Sequence, residues 1–233
     1  MDLNSNTVSD TELVQSNEAG GSYHMEKEGL RRSLALLEER GINLDRIVTS
    51  RHPQIQKFLR ERNITHYYDV WHMAKEKLLA NKRTVKDVAK LSPHHQTSSV
   101  EAFHSVILRF APKNVVFPFI VMLCRLYLAA MYYNENADRP QAKTQEGVPL
   151  YKVYFPKAMR GQCRAKAHKT EPTLRYVADM MDLIFARVLV DPTPYTDAML
   201  AIPVPEDLTA RYEHPDKEEV IASYVSRFNR GPV

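Results

Sequence analysis

Arg46-Ile47-Val48-Thr49-Ser50-Arg51-His52-Pro53-Gln54-Ile55-Gln56-Lys57-Phe58-Leu59-Arg60-Glu61-Arg62-Asn63-Ile64-Thr65-His66-Tyr67-Tyr68 is the stretch that decides the fold of this 233-residue chain. Ile47 to Thr49 is a short β-branched run of the kind that forms a buried strand. His52 to Arg62 changes to helical spacing, with Ile55, Phe58 and Leu59 on one side. Ile64 to Tyr68 is again rich in β-formers. Upstream, Leu13 to Gln15 alternates and predicts another strand, and Gly20-Gly21 breaks the chain before Ser22, which is placed to cap a helix. That helix carries Leu30, Leu34 and Leu37 on one face, with Leu36 beside it, and stops at Gly41 in the C-terminal cap position. The order strand, helix, strand, helix, strand predicts an α/β sheet with parallel members.

From Trp71 the pattern turns helical, with segments near Trp71 to Ala80, Thr84 to Leu91, Ser98 to Phe110 and Phe117 to Tyr133. Val115 to Tyr133 is the most apolar window, but Pro118 and Arg125 interrupt it, so it reads as a core helix and not a membrane span. Its inward stripe is Leu123, Leu126, Ala130 and Tyr133, with Met122 and Met131 filling gaps. Asn134 to Pro149 reads as a polar surface loop, and Leu150 to Phe155 as a strand or extended edge. Pro172 opens a helix to about Val190 whose buried stripe would be Leu174, Val177, Met181, Ile184, Phe185 and Val188. Pro192 to Pro205 holds four prolines and reads as irregular, and a last helix spans about Asp216 to Phe228.

With 44% hydrophobic and 26% charged residues, the composition is that of a globular protein and excludes fibrous and low-complexity classes. The net charge of +4 is small, but its distribution is uneven. Lys152, Lys157, Arg160, Arg164, Lys166 and Lys169 follow one another with no acid among them. Tyr151, Tyr154 and Phe155 stand beside this run, a combination suited to phosphates and stacked bases. Equally, the run reads as a solvated basic loop with its aromatics in the core. Cys124 and Cys163 form neither a disulfide framework nor a zinc spacing. Met1 to Glu12 is polar and acidic, unlike a signal or transit peptide, so the expected location is inside the cell and the chain is not expected to be secreted.

His66-Tyr67-Tyr68-Asp69-Val70-Trp71-His72 joins a strand to a helix and sets Asp69 and His72 about one helical turn apart. Further on, Ser98-Ser99-Val100-Glu101-Ala102-Phe103-His104-Ser105 opens a helix with Glu101 in its first turn. A strand-end position followed by a helix-borne glutamate is an arrangement in which carboxylates hold two divalent ions for strand cleavage. Taken without context, Asp69 is a helix cap, His72 a partly buried histidine, Glu101 a first-turn acid favoured by the helix dipole, and His94 and His95 surface-loop residues.

Three stretches together look like a eukaryotic DNA transposase of the Kolobok-like group, which has a ribonuclease H-like catalytic core. They are Ile47 to Lys57, His66 to Lys75 with its Asp-x-x-His element, and Leu91-Ser92-Pro93-His94-His95-Gln96-Thr97 running on through Ser105. The tail, Arg139 to Ala142 through Pro215-Asp216-Lys217-Glu218-Glu219 and Tyr224 to Arg230, looks like that family's end, so the resemblance covers nearly the whole chain. It implies that the family's second aspartate falls on Ser50, its Asp-x-x-His on Asp69 and His72, and its third acid on Glu101. The strand bearing the first aspartate would lie upstream of Met1 to Gly21, so one of three acids is retained. The family's long helical insertion is also mostly absent, since Ala74-Lys75 passes almost directly to Lys77-Leu78-Leu79.

The resemblance therefore implies an α/β fold with a partial ribonuclease H-like core and an incomplete sheet, followed by a mostly helical C-terminal half. Residues 1–110 would be the remnant of the core, and 111–233 its helical C-terminal part and tail. The expected function is that of a transposon-derived protein that has lost DNA cleavage; the alternative is a domesticated DNA-binding or protein-interaction module. The ancestral enzyme would have used magnesium or manganese with Glu101 among the ligands, and no cofactor is expected now. Expected partners are DNA, through residues 152–169, and further copies of the chain, through an unpaired sheet edge. Ancestry implies a nuclear location, and no compact basic localisation signal stands out.

Overall fold

The computed structural model describes residues 1–69, 87–92, 97–157, 161–208 and 215–224. Strand β1 (Arg46–Thr49) and strand β2 (Thr65–Tyr68) pair in parallel, with Ile47 opposite His66 and Thr49 opposite Tyr68. Between them runs α2 (Pro53–Glu61), with Pro53 in the first turn, where its missing N–H costs nothing. Beyond β2, the Tyr68 amide donates to the Lys90 carbonyl (2.8 Å) and the Ser92 amide to the Tyr68 carbonyl (3.2 Å), adding Leu91 as a third parallel position. The fold is mixed α/β with small sheets.

α1 (Met25–Glu39) follows a single 3₁₀ turn, Ser22–His24. Both α1 and α2 end in the same motif. After α1, the Gly41 amide donates to Glu38 and the Ile42 amide to the Leu37 carbonyl; after α2, Asn63 donates to Arg60 and Ile64 to Leu59. Gly41 and Asn63 both take left-handed φ values (73° and 57°), as this closure requires. The turns bring Leu44 and Ile64 back against the helices, where Leu34, Ile55 and Leu59 form the buried centre of one core, flanked by Leu30, Ile47 and Phe58.

The second core belongs to α3 (Ser98–Phe110) and α4 (Phe119–Asn136), which pack on each other through Phe103, Ala129, Tyr133 and Ala137. The Phe103 and Tyr133 rings meet edge to face at 5.3 Å. The expected apolar stripe of α4 is buried at Leu123, Leu126 and Tyr133, and Ala130 is partly buried. Among the described residues no helix is long and apolar enough to cross a membrane.

Residues 1–21 connect the two cores. Val8 is buried in the α3–α4 core, and its backbone is held as a neighbouring strand would hold it: its amide donates to Asn134 Oδ1 (2.7 Å) and its carbonyl accepts from Asn134 Nδ2 (2.9 Å). On the other side, Ser33 of α1 donates to Asp10 (2.6 Å). Asn134→Ala leaves both Val8 groups unpaired and is expected to destabilise the protein by about 2 kcal/mol in a urea melt. Asn134→Asp keeps the acceptor but sets a second oxygen against the Val8 carbonyl, so it should cost at least as much. No loss in Asn134→Ala would show that the paired amide contributes nothing.

Several expectations need correction. Leu13 to Gln15 is not a strand, because its backbone turns inward on itself: the Gln15 amide donates to Glu18 Oε2 and the Gly21 amide to the Ser16 carbonyl. Ser22 makes no cap, since Gly21 and His24 occupy the capping positions without side-chain bonds. The chain is helical from Thr193 to Leu200 (α6), because three of the four prolines flank that segment and its first turn tolerates the fourth, Pro194. The C-terminal half is not simply helical, since it contains an antiparallel pair, β3 (Tyr151–Tyr154) and β4 (Arg164–Ala167). The helix expected from Pro172 starts instead at Arg175 (α5, Arg175–Leu183) and continues as a π turn, Ile184–Val188. Its apolar stripe is exposed, to 62% at Phe185, because α5 is anchored by its N-terminus and nothing described covers its length. The last described helix, α7 (Lys217–Ser223), is capped by the Asp216 side chain, which accepts from the Glu218 amide (2.7 Å). The segments expected at Trp71–Ala80 and beyond Tyr224 lie outside the described residues, as do Thr84 to Lys86 of the expected Thr84–Leu91 helix, of which Asp87 and Val88 are helical.

Glu135 provides the α5 anchor. It accepts from the Thr173 hydroxyl and from the Arg175 and Tyr176 amides (both 2.8 Å), which hold its carboxyl down to about 2. Glu28, bonded to Arg31 and Arg32, is likewise lowered to about 2. A carboxyl whose folded-state pKa is depressed contributes stability that is present above its unfolded value and lost as pH falls. The melting temperature should therefore hold from pH 7 to about 5 and fall between about 4.5 and 2. Glu28→Gln with Glu135→Gln should flatten that limb in a thermal melt series, and an unchanged limb would assign it to other groups.

Candidate functional site

Two places gather the residues that the sequence singles out. The first is the C-terminal end of the parallel strands, where open α/β sheets bind ligands. Ser50 leaves β1 there, and its carbonyl accepts from the Thr49 hydroxyl (2.9 Å). Asp69 leaves β2 beside it, its amide donating to the Thr49 carbonyl (3.2 Å). Thr49 Oγ1 also lies 2.8 Å from His66 Nε2, and burial, aided by Lys90, lowers the His66 pKa and favours the neutral ring. Asp69 is 1% exposed, and its Oδ1 accepts from the Thr97 amide at the start of α3 (3.4 Å). It thus reaches the residue that precedes α3, 28 positions later in the chain, whereas the helix it was expected to cap lies outside the described residues.

Glu101 sits one turn into α3, its amide bonded to the carbonyl of Thr97 (3.1 Å), the residue whose amide meets Asp69. His72, His94 and His95 lie outside the described residues. The sequence reading missed Arg51 and Asp87, which form an ion pair of 2.8 Å with both side chains largely covered. Arg51 immediately follows Ser50, and that adjacency was the only available signal. Among the described residues no group of three or more metal-ligating side chains converges. Among the described residues, the donors at the strand ends do not fit a pair of magnesium or manganese ions, each of which needs about six oxygen ligands. Ser50 offers a neutral hydroxyl, and the Asp69 carboxylate is turned to a helix amide.

The second place is the β3–β4 ribbon. Its register sets Lys152 opposite Lys166 and Tyr154 opposite Arg164, while Tyr151 and Val153 face Ala167 and Ala165. Since side chains alternate between faces, Lys152, Tyr154, Arg164 and Lys166 share one face, and Tyr151, Val153, Ala165 and Ala167 the other. All eight residues are exposed. The ribbon is rooted on the end of α4: the Thr170 amide donates to the Pro140 carbonyl (3.0 Å) and Arg139 donates to the Thr170 carbonyl (2.6 Å). Lys169 belongs to this root, because its Nζ donates to the Ala137 carbonyl (3.1 Å). Lys157 lies beyond β3, exposed and toward the tip; Arg160 is outside the described residues. The sequence reading missed β4, whose only signal was the alternation of cation and alanine in Arg164-Ala165-Lys166-Ala167.

Compared with known protein families, curated proteins and solved structures, the chain matches none of them.

Proposed function

We propose that this chain is a transposon-derived, non-cleaving remnant of a cut-and-paste DNA transposase, which keeps the capacity to bind DNA through the face of the β3–β4 ribbon. The ancestry rests on the sequence likeness of Ile47–Lys57, His66–Lys75 and Leu91–Ser105 to that family. The binding reading rests on the direct cross-strand pairing of Lys152 with Lys166 on an exposed face. Like charges directly opposite destabilise a strand pair, and a polyanion seated on the ribbon removes that penalty. A two-stranded ribbon also fits the major groove of duplex DNA, where Tyr154 would lie among the cations. Nuclear location follows from the same reading.

Ser50, in the position of a metal-binding aspartate, and the Asp69 carboxylate bonded to a helix amide support the loss of cleavage. Ser50→Asp alone is expected to leave a supercoiled plasmid un-nicked with magnesium or manganese. Metal-dependent nicking by that variant would overturn the non-cleaving reading. The binding reading is tested by fluorescence anisotropy on a labelled duplex across a salt series. Affinity should fall with a log–log slope of about −3 to −4, as expected for three or four phosphate contacts at about 0.9 each. Absence of binding at low salt, or binding indifferent to salt, would remove it.

A further inference from the structure

A cavity of about 770 Å³ runs along β1, within the roughly 300–1,000 Å³ range of ligand pockets. Its lining includes Ile47 from one face of the sheet and Val48 and Tyr67 from the other, so it wraps around the strand's edge. That edge is open. The carbonyls of Asp45 and Thr49 accept from the Thr65 and Asp69 amides of the β2 side, which fixes the parity of the ladder. By the same alternation Arg46 and Val48 turn their N–H and C=O groups away from β2, into the cavity.

The walls suit an extended peptide. Leu30, Leu34 and Leu37 of α1 supply an apolar side, and Val100 of α3 adds to it. Among the charged groups of the lining, the carboxylates of Asp2, Asp10 and Asp45 outnumber the Arg46 guanidinium and the Met1 amino group, which lies near Asp2 and Asp10. Thr97 also lines the space; it is 8% exposed, and its Oγ1 has no hydrogen-bond partner.

We propose that this cavity docks an extended, apolar and basic peptide segment of another protein, which adds as a strand to the free edge of β1. Backbone bonds to Arg46 and Val48 give the register, the half-buried Leu30 and Leu37 of α1 take alternate side chains, and the carboxylates take a lysine or arginine. A second copy's β1 is a poor occupant. Residues of α1 and of the N-terminal segment wall the edge, so an extended segment enters more readily than a second folded chain.

The experiment measures binding of a fluorescein-labelled alternating valine–lysine heptapeptide to the full chain by anisotropy. A second peptide has the same side chains but is N-methylated at alternate residues. The expected result is saturable binding of the first and at least tenfold weaker binding of the second, about 1.4 kcal/mol. Asp10→Lys with Asp45→Lys should weaken the first peptide by a similar factor. No saturation by about 1 mM, or equal binding of both peptides, would overturn the proposal. So would a dimer in sedimentation velocity that the first peptide fails to dissociate, since the edge would then belong to a second copy.

Discussion

Replacing Lys152, Lys157 and Lys166 together with alanine is expected to lower affinity for a mixed-sequence duplex by several hundredfold at about 0.1 M salt. Each phosphate contact releases about 0.9 of a counterion, so at that salt it is worth about eightfold, and three multiply to about 500-fold. The salt slope should fall by about 2.7 in the same variant. All three lysines are exposed, and β3–β4 pairing uses backbone, so the variant should fold as the parent does. The cross-strand repulsion between Lys152 and Lys166 disappears with the substitutions, so the ribbon should become slightly more stable. The control is Lys27→Ala, Lys57→Ala and Lys113→Ala, which removes the same charge from exposed positions elsewhere. It should stay within about threefold of the parent, as distant charges are screened over about 10 Å. Equal losses in both variants would mean that net charge, and not the ribbon, attracts DNA.

That ribbon also shows where the sequence was readable and where it was not. Period-2 patterning identified Tyr151–Tyr154 because valine and tyrosine favour strands, but Arg164–Ala167 has weak strand propensity and forms one only through its partner. Local signals carried the βαβ unit, where apolar spacing, Pro53 and the positions of the caps all agree. Asn63 was missed as the counterpart of Gly41, since only the backbone shows that it takes the left-handed conformation. The stripe of α5 was legible as a pattern but not as a burial, because patterning shows which side is apolar and cannot show what covers it. At the strand ends the sequence singled out Ser50 and Asp69, with Glu101 further on in a helix. It did not reveal that the Asp69 carboxylate meets Thr97, a contact 28 residues apart that only the fold creates.

Leu59→Ala should be the most damaging single substitution in the βαβ unit. Leu59 is 0% exposed and sits with Leu34 (2%) and Ile55 at the centre of a core that, among the described residues, has those three buried side chains. Removing three carbons loses their transfer free energy and leaves a cavity, a combination that costs about 2–5 kcal/mol for leucine to alanine. Collapse into the gap is restricted on two sides. The Leu59 carbonyl accepts from the Ile64 amide (3.0 Å) and so ties α2 to the start of β2, while α1 is fixed by its own closure at Gly41. A value near 3 kcal/mol follows, which for a chain of this size lowers the melting temperature by about 6–12 °C. The loss should be local in its first expression, because the α3–α4 core shares no buried residue with this one. In hydrogen exchange, the Ile47 and Tyr67 ladder amides should lose protection before those around Ala129 and Tyr133. Uniform loss across both cores would mean that residues 1–21 couple them into one cooperative unit. A destabilisation below about 1 kcal/mol would show that the three-residue core is already loosely packed.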